Sequence, residues 1–162
     1  KEFMNFYEMV GGKDLDIMLE VKDKNLSSVK CINCVTEDKK IKNLEEEWSK
    51  YKYSVLEKSQ SDYLKIRKLF REKNDYPAVE FYSILEDAML NPTQIGNSIN
   101  AAQHVWGYFK NIATEEEKAS FIKITNDYEQ NKTTLNVVKN KLKKMAIKYE
   151  QIYLLNSYYF VY

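Results

Sequence analysis

Residues 40–59 read KIKNLEEEWSKYKYSVLEKS, and this stretch decides the fold. Its apolar side chains recur at spacings of three and four residues, as on one face of an α-helix: Ile41, Leu44, Trp48, Tyr51 and Val55. The charged residues Glu45, Glu46, Lys50 and Lys52 fall elsewhere around the helix. The stretch therefore predicts a long amphipathic helix with one buried face.

The same spacing continues on the C-terminal side of this helix. Ser59 is predicted to cap a second helix, which runs to about Lys73 and is ended by Asn74. Pro77 suits the first position of a helix because it lacks the amide hydrogen that would be unpaired there. We therefore expect a third helix over residues 77–90.

Two further helix starts have recognisable caps. Asn97 or Ser98 is predicted to cap a helix that runs to about Ile112. Thr114 and Glu117 have the spacing of a capping box, which predicts that the next helix begins there.

The C-terminal part continues the helical pattern. Thr133 or Thr134 is predicted to begin another helix, whose apolar stripe lies opposite several lysines. The tail from Gln151 to Tyr162 is rich in apolar and aromatic residues. We expect this tail to dock on the bundle, where those side chains would be removed from water.

The N-terminal residues have a weaker pattern. Apolar residues at helical spacing predict a short helix that ends at Gly11-Gly12. A second helix is predicted from Asp14 to Val21, and a loop from Asn25 to Glu37.

Length and composition indicate one folded domain. The 162 residues suit one hydrophobic core, and a chain with 44% hydrophobic residues, 4 Gly and 2 Pro is neither disordered nor collagen-like. No segment has the period-two pattern of a strand. We expect an all-α, single-domain bundle of about six to eight helices. Residues 1–40 are assigned to an N-terminal extension and residues 41–162 to the helical domain.

Charge and hydropathy limit the classes of partner. With 25 Lys and Arg against 24 Asp and Glu, the net charge of +1 excludes a whole-molecule attraction to phosphate. Any binding to nucleic acid must therefore come from a local patch. No run approaches the roughly 18 apolar residues of a membrane-spanning helix, and the N-terminus has no secretory signal pattern. The expectation is a cytoplasmic protein without membrane contact, and no cofactor is predicted.

The helix predicted to end at Ile112 has a core face and a polar face. Neutral hydrogen-bonding side chains collect on the polar face: Asn97, Asn100, Gln103, His104 and Tyr108. Gly107 lies among them, and a glycine inside a helix costs about 1 kcal/mol relative to alanine. We therefore expect a ligand or another helix to approach the backbone at Gly107. These six residues form the predicted ligand-binding site.

Residues 100–109, NAAQHVWGYF, resemble the N-x-x-Q-H-x-x-G-Y-F signature of the YbgA-like bacterial family, a domain of unknown function. Shorter matches flank this motif: Trp48 with Lys52-Tyr53 resembles the family's W-x-x-x-K-Y, residues 115–118 its E-E-K, and residues 153–156 its Y-L-x-N. The resemblance covers roughly residues 44–160, so residues 1–40 lie outside it.

The resemblance implies a supporting role near modified-nucleobase or sulfur chemistry. Members of the family are often fused behind a cysteine-rich domain that resembles the iron–sulfur thiouracil desulfurases, so an upstream cysteine-rich domain is one partner that it implies. This chain departs from the cysteine pattern of such a domain because it has only Cys31 and Cys34. Desulfurase activity is therefore not carried over.

Two interpretations of His104 remain open. In the first, its role is purely structural, and its ring forms hydrogen bonds with Asn100, Tyr108 or a backbone carbonyl. In this case it binds no ligand. Alternatively, it binds a ligand or acts as a general acid and base. Cys31 and Cys34 have the spacing of a zinc knuckle or a redox pair, but structural zinc needs four ligands and the sequence has no second pair. They are weak metal candidates, and no metal is predicted.

Nucleic-acid binding is not the favoured interpretation. The 13 Tyr, 7 Phe and 2 Trp residues could stack on bases, but most of them fall on core stripes. Five lysines could contact phosphates: Lys139, Lys141, Lys143, Lys144 and Lys148. Lys141, Lys144 and Lys148 lie opposite a core face, as on any solvated helix.

The sequence favours a noncatalytic binding or accessory domain with a neutral polar pocket around His104 for a nucleobase-like small ligand. One alternative is an enzyme that uses His104 as a general acid and base, whose mark would be a pocket with a carboxylate or a metal. Another is a helical interaction module with a protein partner, whose mark would be an exposed apolar patch on the tail residues Tyr158, Tyr159 and Phe160.

Overall fold

The computed structural model of the chain describes residues 1–11, 15–22, 24–72 and 75–161. These ranges contain nine α-helices and no strand, so the predicted all-α class is confirmed. In chain order the helices are α1 (Glu2–Val10), α2 (Lys24–Val35), α3 (Ile41–Lys58), α4 (Gln60–Glu72), α5 (Ala78–Leu90), α6 (Ile95–Trp106), α7 (Glu115–Glu129), α8 (Leu135–Lys148) and α9 (Ile152–Leu155). A 3₁₀ turn, Tyr158–Phe160, follows α9. None of the described helices combines the length and the apolar character that crossing a membrane requires.

Helix α3 lies at the centre of the bundle, where it packs against α4, α5, α6 and the 3₁₀ turn. The sequence predicted one buried face, but residues 51–57 are buried almost all round. A helix with neighbours on several sides buries more than a single stripe. Within this stretch only Lys52 is not buried, and its side chain lies beside a surface groove.

Most predicted helix starts are confirmed. The Ser59 hydroxyl accepts a hydrogen bond from the Asp62 amide at 3.2 Å at the start of α4. Thr114 and Glu117 form the predicted capping box, with hydrogen bonds of 2.9 and 3.3 Å. Thr134 is the cap position of α8.

The predicted loop from Asn25 to Glu37 is wrong because α2 occupies most of it. Serine and asparagine have low helix propensity, but packing against another element overrides propensity. Helix α2 packs against α5, and the Asn33 side chain donates a hydrogen bond of 2.8 Å to the buried hydroxyl of Tyr82. This long-range contact is absent from any local pattern.

The predicted helix from Asp14 to Val21 is also wrong over its described part, since residues 15–21 are not helical. Their apolar side chains, such as Met18 at 82% exposure, have no packed surface that would stabilise so short a helix. Gly11 ends α1 in the left-handed conformation, with φ of 59°, as expected for a glycine. The predictions for Gly12 and Asp14, and for the helix end at Lys73 and Asn74, fall outside the described residues.

Helix α6 begins earlier and ends earlier than predicted. Gln94 is its cap residue, and Ser98, a predicted cap, lies inside the helix with its hydroxyl bonded to the Gln94 carbonyl at 3.0 Å. The helix ends at Trp106, and residues 107–112 form tight turns instead of a continuing helix.

The C-terminal tail docks on the bundle as predicted. Leu154 and Tyr159 are completely buried. Because Tyr158 and Phe160 are half-buried against the core and Tyr159 is buried, these three residues do not form the exposed apolar patch predicted for an interaction module.

A buried ion pair joins the centre of the bundle to α8. The ammonium group of Lys139 lies 2.8 Å from a carboxylate oxygen of Glu57, and both side chains are less than a tenth exposed. The same ammonium lies 4.7 Å from the centre of the Tyr159 ring. The sequence had suggested that Lys139 could contact phosphates, but in this ion pair it is not available to do so. Burial raises the pKa of Glu57, and the charge of Lys139 opposes that rise.

The stability of the α7 start is expected to depend on pH through Glu117. Hydrogen bonds from Lys148, Tyr149 and the Thr114 amide lower the pKa of this carboxyl from 4.5 to about 2 in the folded chain. A group with a depressed folded pKa stabilises fully above its unfolded pKa, and this contribution is lost as the pH falls toward the folded value. We therefore expect Glu117→Gln to destabilise the chain above pH 4.5, and this difference to shrink toward about pH 2.

Urea unfolding of both proteins across this pH range measures the difference. Glu116→Gln is the matched control on the same turn, where the side chain is exposed. A difference between Glu117→Gln and the native chain that stays constant with pH would contradict this assignment.

Candidate functional site

His104 lies in the last turn of α6 and is exposed to solvent. Its imidazole ring forms no hydrogen bond or ion pair with any other residue that the structure describes. Asn100, Tyr108 and the nearby carbonyls therefore do not satisfy its ring, so the structure does not support a purely structural role. An exposed imidazole with free nitrogens is available to a ligand.

A groove of about 440 Å³ opens beside His104. We call it the aromatic groove, and its walls come from α3, α4, α6 and α9: Glu45, Trp48, Ser49, Lys52, Tyr63, Arg67, His104 and Tyr153. It therefore combines three aromatic rings, two cations, one carboxylate and the imidazole.

Aromatic contacts hold the walls of the groove. The Trp48 and Tyr63 ring centres are 5.6 Å apart. Tyr153 stacks on Tyr108 at 5.8 Å with an interplanar angle of 17°. The hydroxyls of Tyr53 and Tyr108 are joined by a hydrogen bond of 2.9 Å. Because these rings pack on one another, their positions are fixed before any ligand arrives. Tyr63 is only 7% exposed, so the accessible aromatic surface of the groove comes from the half-buried Trp48 and the exposed Tyr153.

The tyrosine hydroxyls of this region are hydrogen-bonding groups rather than bases. Burial, together with the neighbouring Tyr108, raises the pKa values of Tyr53 and Tyr153. Both phenols therefore stay protonated at neutral pH and can donate a hydrogen bond.

The structure brings only part of the predicted site to the groove. Of the six predicted residues, His104 lines the groove, and Tyr108 lies behind its Tyr153 wall. Gln103 is exposed and Asn100 is half-buried. The Asn97 amide bonds the Lys58 carbonyl at 3.4 Å, which ties α6 to the end of α3.

The presence of a glycine at position 107 is explained by the preceding turn of α6. A Cβ atom added there would lie 3.1 Å from the carbonyl oxygen of His104 and 3.7 Å from that of Gln103. The nearest atoms therefore belong to the preceding turn of α6, and the expected approach of another helix is not found. Close approach of a ligand to Gly107 stays a prediction.

The two cysteines lie elsewhere, on α2. Cys31 and Cys34 are free thiols beside a cavity of about 110 Å³ that is also lined by Val79 and Tyr82 of α5. Burial raises the pKa of Cys34 to about 11 and also raises that of Cys31, so both favour the neutral thiol, whereas metals bind the thiolate. Within the described ranges no group of three or more His, Cys, Asp and Glu side chains could hold a metal ion.

Sequence reasoning missed most of the groove, although a local clue was present. Trp48 and Lys52 are four residues apart on α3, and Tyr63 and Arg67 are four apart on α4. Residues at this spacing lie on the same face of a helix, so each pair places an aromatic ring beside a cation. Two such pairs on consecutive helices indicate a common aromatic and cationic surface.

Comparison with known proteins places the chain among its relatives. Residues 52–162 match the model of a protein family described as "Protein of unknown function (DUF1722)". The UV DNA damage endonuclease of Clostridium perfringens (strain 13 / Type A) is 29% identical over 140 residues, which are 85% of this chain and 33% of that protein. The chain thus spans about a third of the length of this curated relative. No solved structure matches the chain significantly.

Proposed function

Since the chain belongs to the DUF1722 family, whose function is unknown, we propose from the geometry of the aromatic groove that it is a noncatalytic domain that binds a nucleobase-like ligand. The YbgA-like resemblance, the domain boundary after residue 40 and a cytoplasmic location stay predictions.

One observation carries the proposal: the exposed, unbonded His104 lies beside the rings of Trp48, Tyr63 and Tyr153 in one groove. Proteins hold bases by stacking them on aromatic rings and by hydrogen bonds to the polar base edges. The imidazole supplies a donor and an acceptor for such an edge. The groove therefore offers both parts of base recognition.

We propose that two other predicted residues of α6, which do not line the groove itself, also contact the ligand. Gln103 is exposed next to His104 and can exchange a pair of hydrogen bonds with a ligand edge. Asn100, half-buried, supplies a second amide one turn earlier. Tyr108 holds the Tyr153 ring in place.

The name of the Clostridium relative supports a base that belongs to DNA. That protein is called a UV DNA damage endonuclease, and its match to this chain covers 85% of the chain. A base of a DNA strand presents the same stacking face and the same polar edge as a free nucleobase.

A thermal-shift titration tests the proposal. A ligand that binds only the folded state must raise the melting temperature. We expect deoxynucleosides or short single-stranded oligonucleotides to raise that of the native chain, and this rise to disappear in His104→Ala. Asn126→Ala, an exposed change on α7, is the matched control and should keep the rise. An unshifted native chain, or an equal shift in His104→Ala, would exclude the site.

An enzyme is the second candidate because the groove contains the carboxylate of Glu45 together with His104. An acid and base in one cleft is the arrangement expected for proton transfer. His104 is not paired with a carboxylate among the described residues, so the binding function is preferred. Mass spectrometry of the ligand after incubation separates the two functions. If the chain is an enzyme, the native chain forms a product and Glu45→Gln does not. If it is a binding domain, neither protein forms a product.

Contact with a protein partner is the alternative that concerns the N-terminal extension. Large apolar side chains are exposed there, including Met9 at 84%, Met18 at 82% and Ile32 at 61%. Exposed apolar side chains that cluster favour a protein contact.

A further inference from the structure

Lys52 of α3 and Arg67 of α4 line the aromatic groove, and neither side chain is paired with a carboxylate of the described residues. Four other lysines of these two helices pair within their own helix: Lys42 with Glu46, Lys50 with Glu47, Lys65 with Asp62, and Lys68 with Glu72. Lys58 instead donates a hydrogen bond to the Thr93 hydroxyl, outside the groove. In the part of the chain that the structure describes, Lys52 and Arg67 form no ion pair. Two cations therefore face the aromatic groove without an adjacent counter-charge.

Aromatic rings hold both cations at the groove. The ammonium of Lys52 lies 5.0 Å from the Tyr53 ring centre, and the guanidinium carbon of Arg67 lies 5.7 Å from the Tyr63 ring centre. Burial and the charge of Arg67 lower the pKa of Lys52. Like charges in one groove repel each other, so an anion bound between them would remove an unfavourable interaction.

The groove has an acidic end and a basic end. Glu45 precedes Lys52 by seven residues, which is about 10 Å along a helix axis. Trp48 lies between these two positions on the same helix face. The charges thus orient a ligand that carries its anionic group at one end of a flat apolar ring.

We propose that Lys52 and Arg67 bind the phosphate group of a nucleotide unit whose base lies on the aromatic wall of the same groove. This inference rests on the proposed nucleobase site. A guanidinium binds phosphate oxygens through two parallel hydrogen bonds, and an ammonium adds a compact charge. A free nucleotide and a nucleotide within a strand share this chemistry.

Calorimetric titrations of the full chain test the phosphate contact. The probes are the four deoxynucleosides, their 5′-monophosphates, inorganic phosphate and a single-stranded oligonucleotide. Charge-assisted hydrogen bonds predict that a monophosphate binds about tenfold or more tightly than its nucleoside. Arg67→Gln and Lys52→Gln should each remove most of this gain, so that the ratio of monophosphate affinity to nucleoside affinity falls toward one.

Matched variants separate a specific contact from general charge. Lys65→Gln removes a cation on α4 that pairs with Asp62 outside the groove, and it should keep the full gain. Lys52→Arg keeps a cation at this half-buried position and should therefore keep the tighter binding of the monophosphate. Because Arg67 is exposed, Arg67→Gln should fold normally, so its result stands even if a Lys52 variant does not fold.

The outcomes separate this inference from the proposed function. Equal binding of nucleoside and monophosphate would overturn the phosphate contact and leave the nucleobase site standing. Inorganic phosphate that binds as tightly as a monophosphate would overturn the joint recognition of base and phosphate. If no probe binds the native chain, both proposals fail.

The oligonucleotide distinguishes a free nucleotide from a nucleic-acid strand as the source of the phosphate. In both cases the phosphate contact is supported if Arg67→Gln weakens the binding of the ligand. A strand that binds more tightly than the monophosphate identifies nucleic acid as the ligand. Its affinity should then fall with salt, and Arg67→Gln should reduce the slope of log K against log salt by about 0.7. Equal affinity identifies a free nucleotide.

Discussion

Replacing Lys139 by methionine is expected to lower the free energy of unfolding by about 3–5 kcal/mol. The variant leaves the Glu57 carboxylate buried next to Tyr159 without its cation. A buried charge that has lost its partner is costly, and Glu57 would take up a proton to escape that cost. Urea unfolding of the native chain and the variant measures the loss.

Two further variants check this explanation. In the double variant Glu57→Met/Lys139→Met, two apolar side chains replace the pair, and stability should return close to the native value. Lys68→Met breaks the pair with Glu72, in which the two side chains are 74% and 55% exposed, and should cost less than about 1 kcal/mol. If Lys139→Met is as stable as Lys68→Met, or more stable, the role of the buried pair is contradicted.

Phe109→Ala is expected to cost about 3–5 kcal/mol of stability. The Phe109 ring is completely buried, and its centre lies 6.3 Å from that of Trp106 and 6.0 Å from that of Tyr149. The truncation leaves a cavity where α6 turns toward α7, next to Tyr108. Thermal and urea unfolding of the variant measure the loss.

Ile112→Ala is the matched control in the same turn segment. Its side chain is 50% exposed, so the change should stay within about 0.5 kcal/mol. A loss for Phe109→Ala as small as that for Ile112→Ala would mean that this turn does not depend on the buried ring.

The fold was largely predictable because helical periodicity is a local property. The apolar spacing of α3 and the capping box of α7 each lie within a short stretch of sequence, and the structure has both helices. Helix α2 was missed since its stability depends on α5, where Asn33 meets Tyr82, 49 residues away. No local pattern contains such a contact.

The site was less predictable than the fold for the same reason. His104 was found through a motif within one helix, but the groove around it also uses side chains of α3, α4 and α9. The Glu57–Lys139 pair joins residues 82 positions apart, and both are of types expected at the surface. Burial of such a pair follows from tertiary packing alone.

The fluorescence of Trp48 tests the central claim most directly, because this ring lines the aromatic groove. The chain has 2 Trp residues, and Trp106 stacks on Phe121 with ring centres 4.3 Å apart, so Trp106→Phe leaves Trp48 as the reporter. We predict that a deoxynucleotide or a single-stranded oligonucleotide changes the Trp48 emission in a saturable manner, and that adding His104→Ala abolishes the change. Emission that stays constant while calorimetry detects binding, or the absence of any binding, would contradict a nucleobase site in this groove.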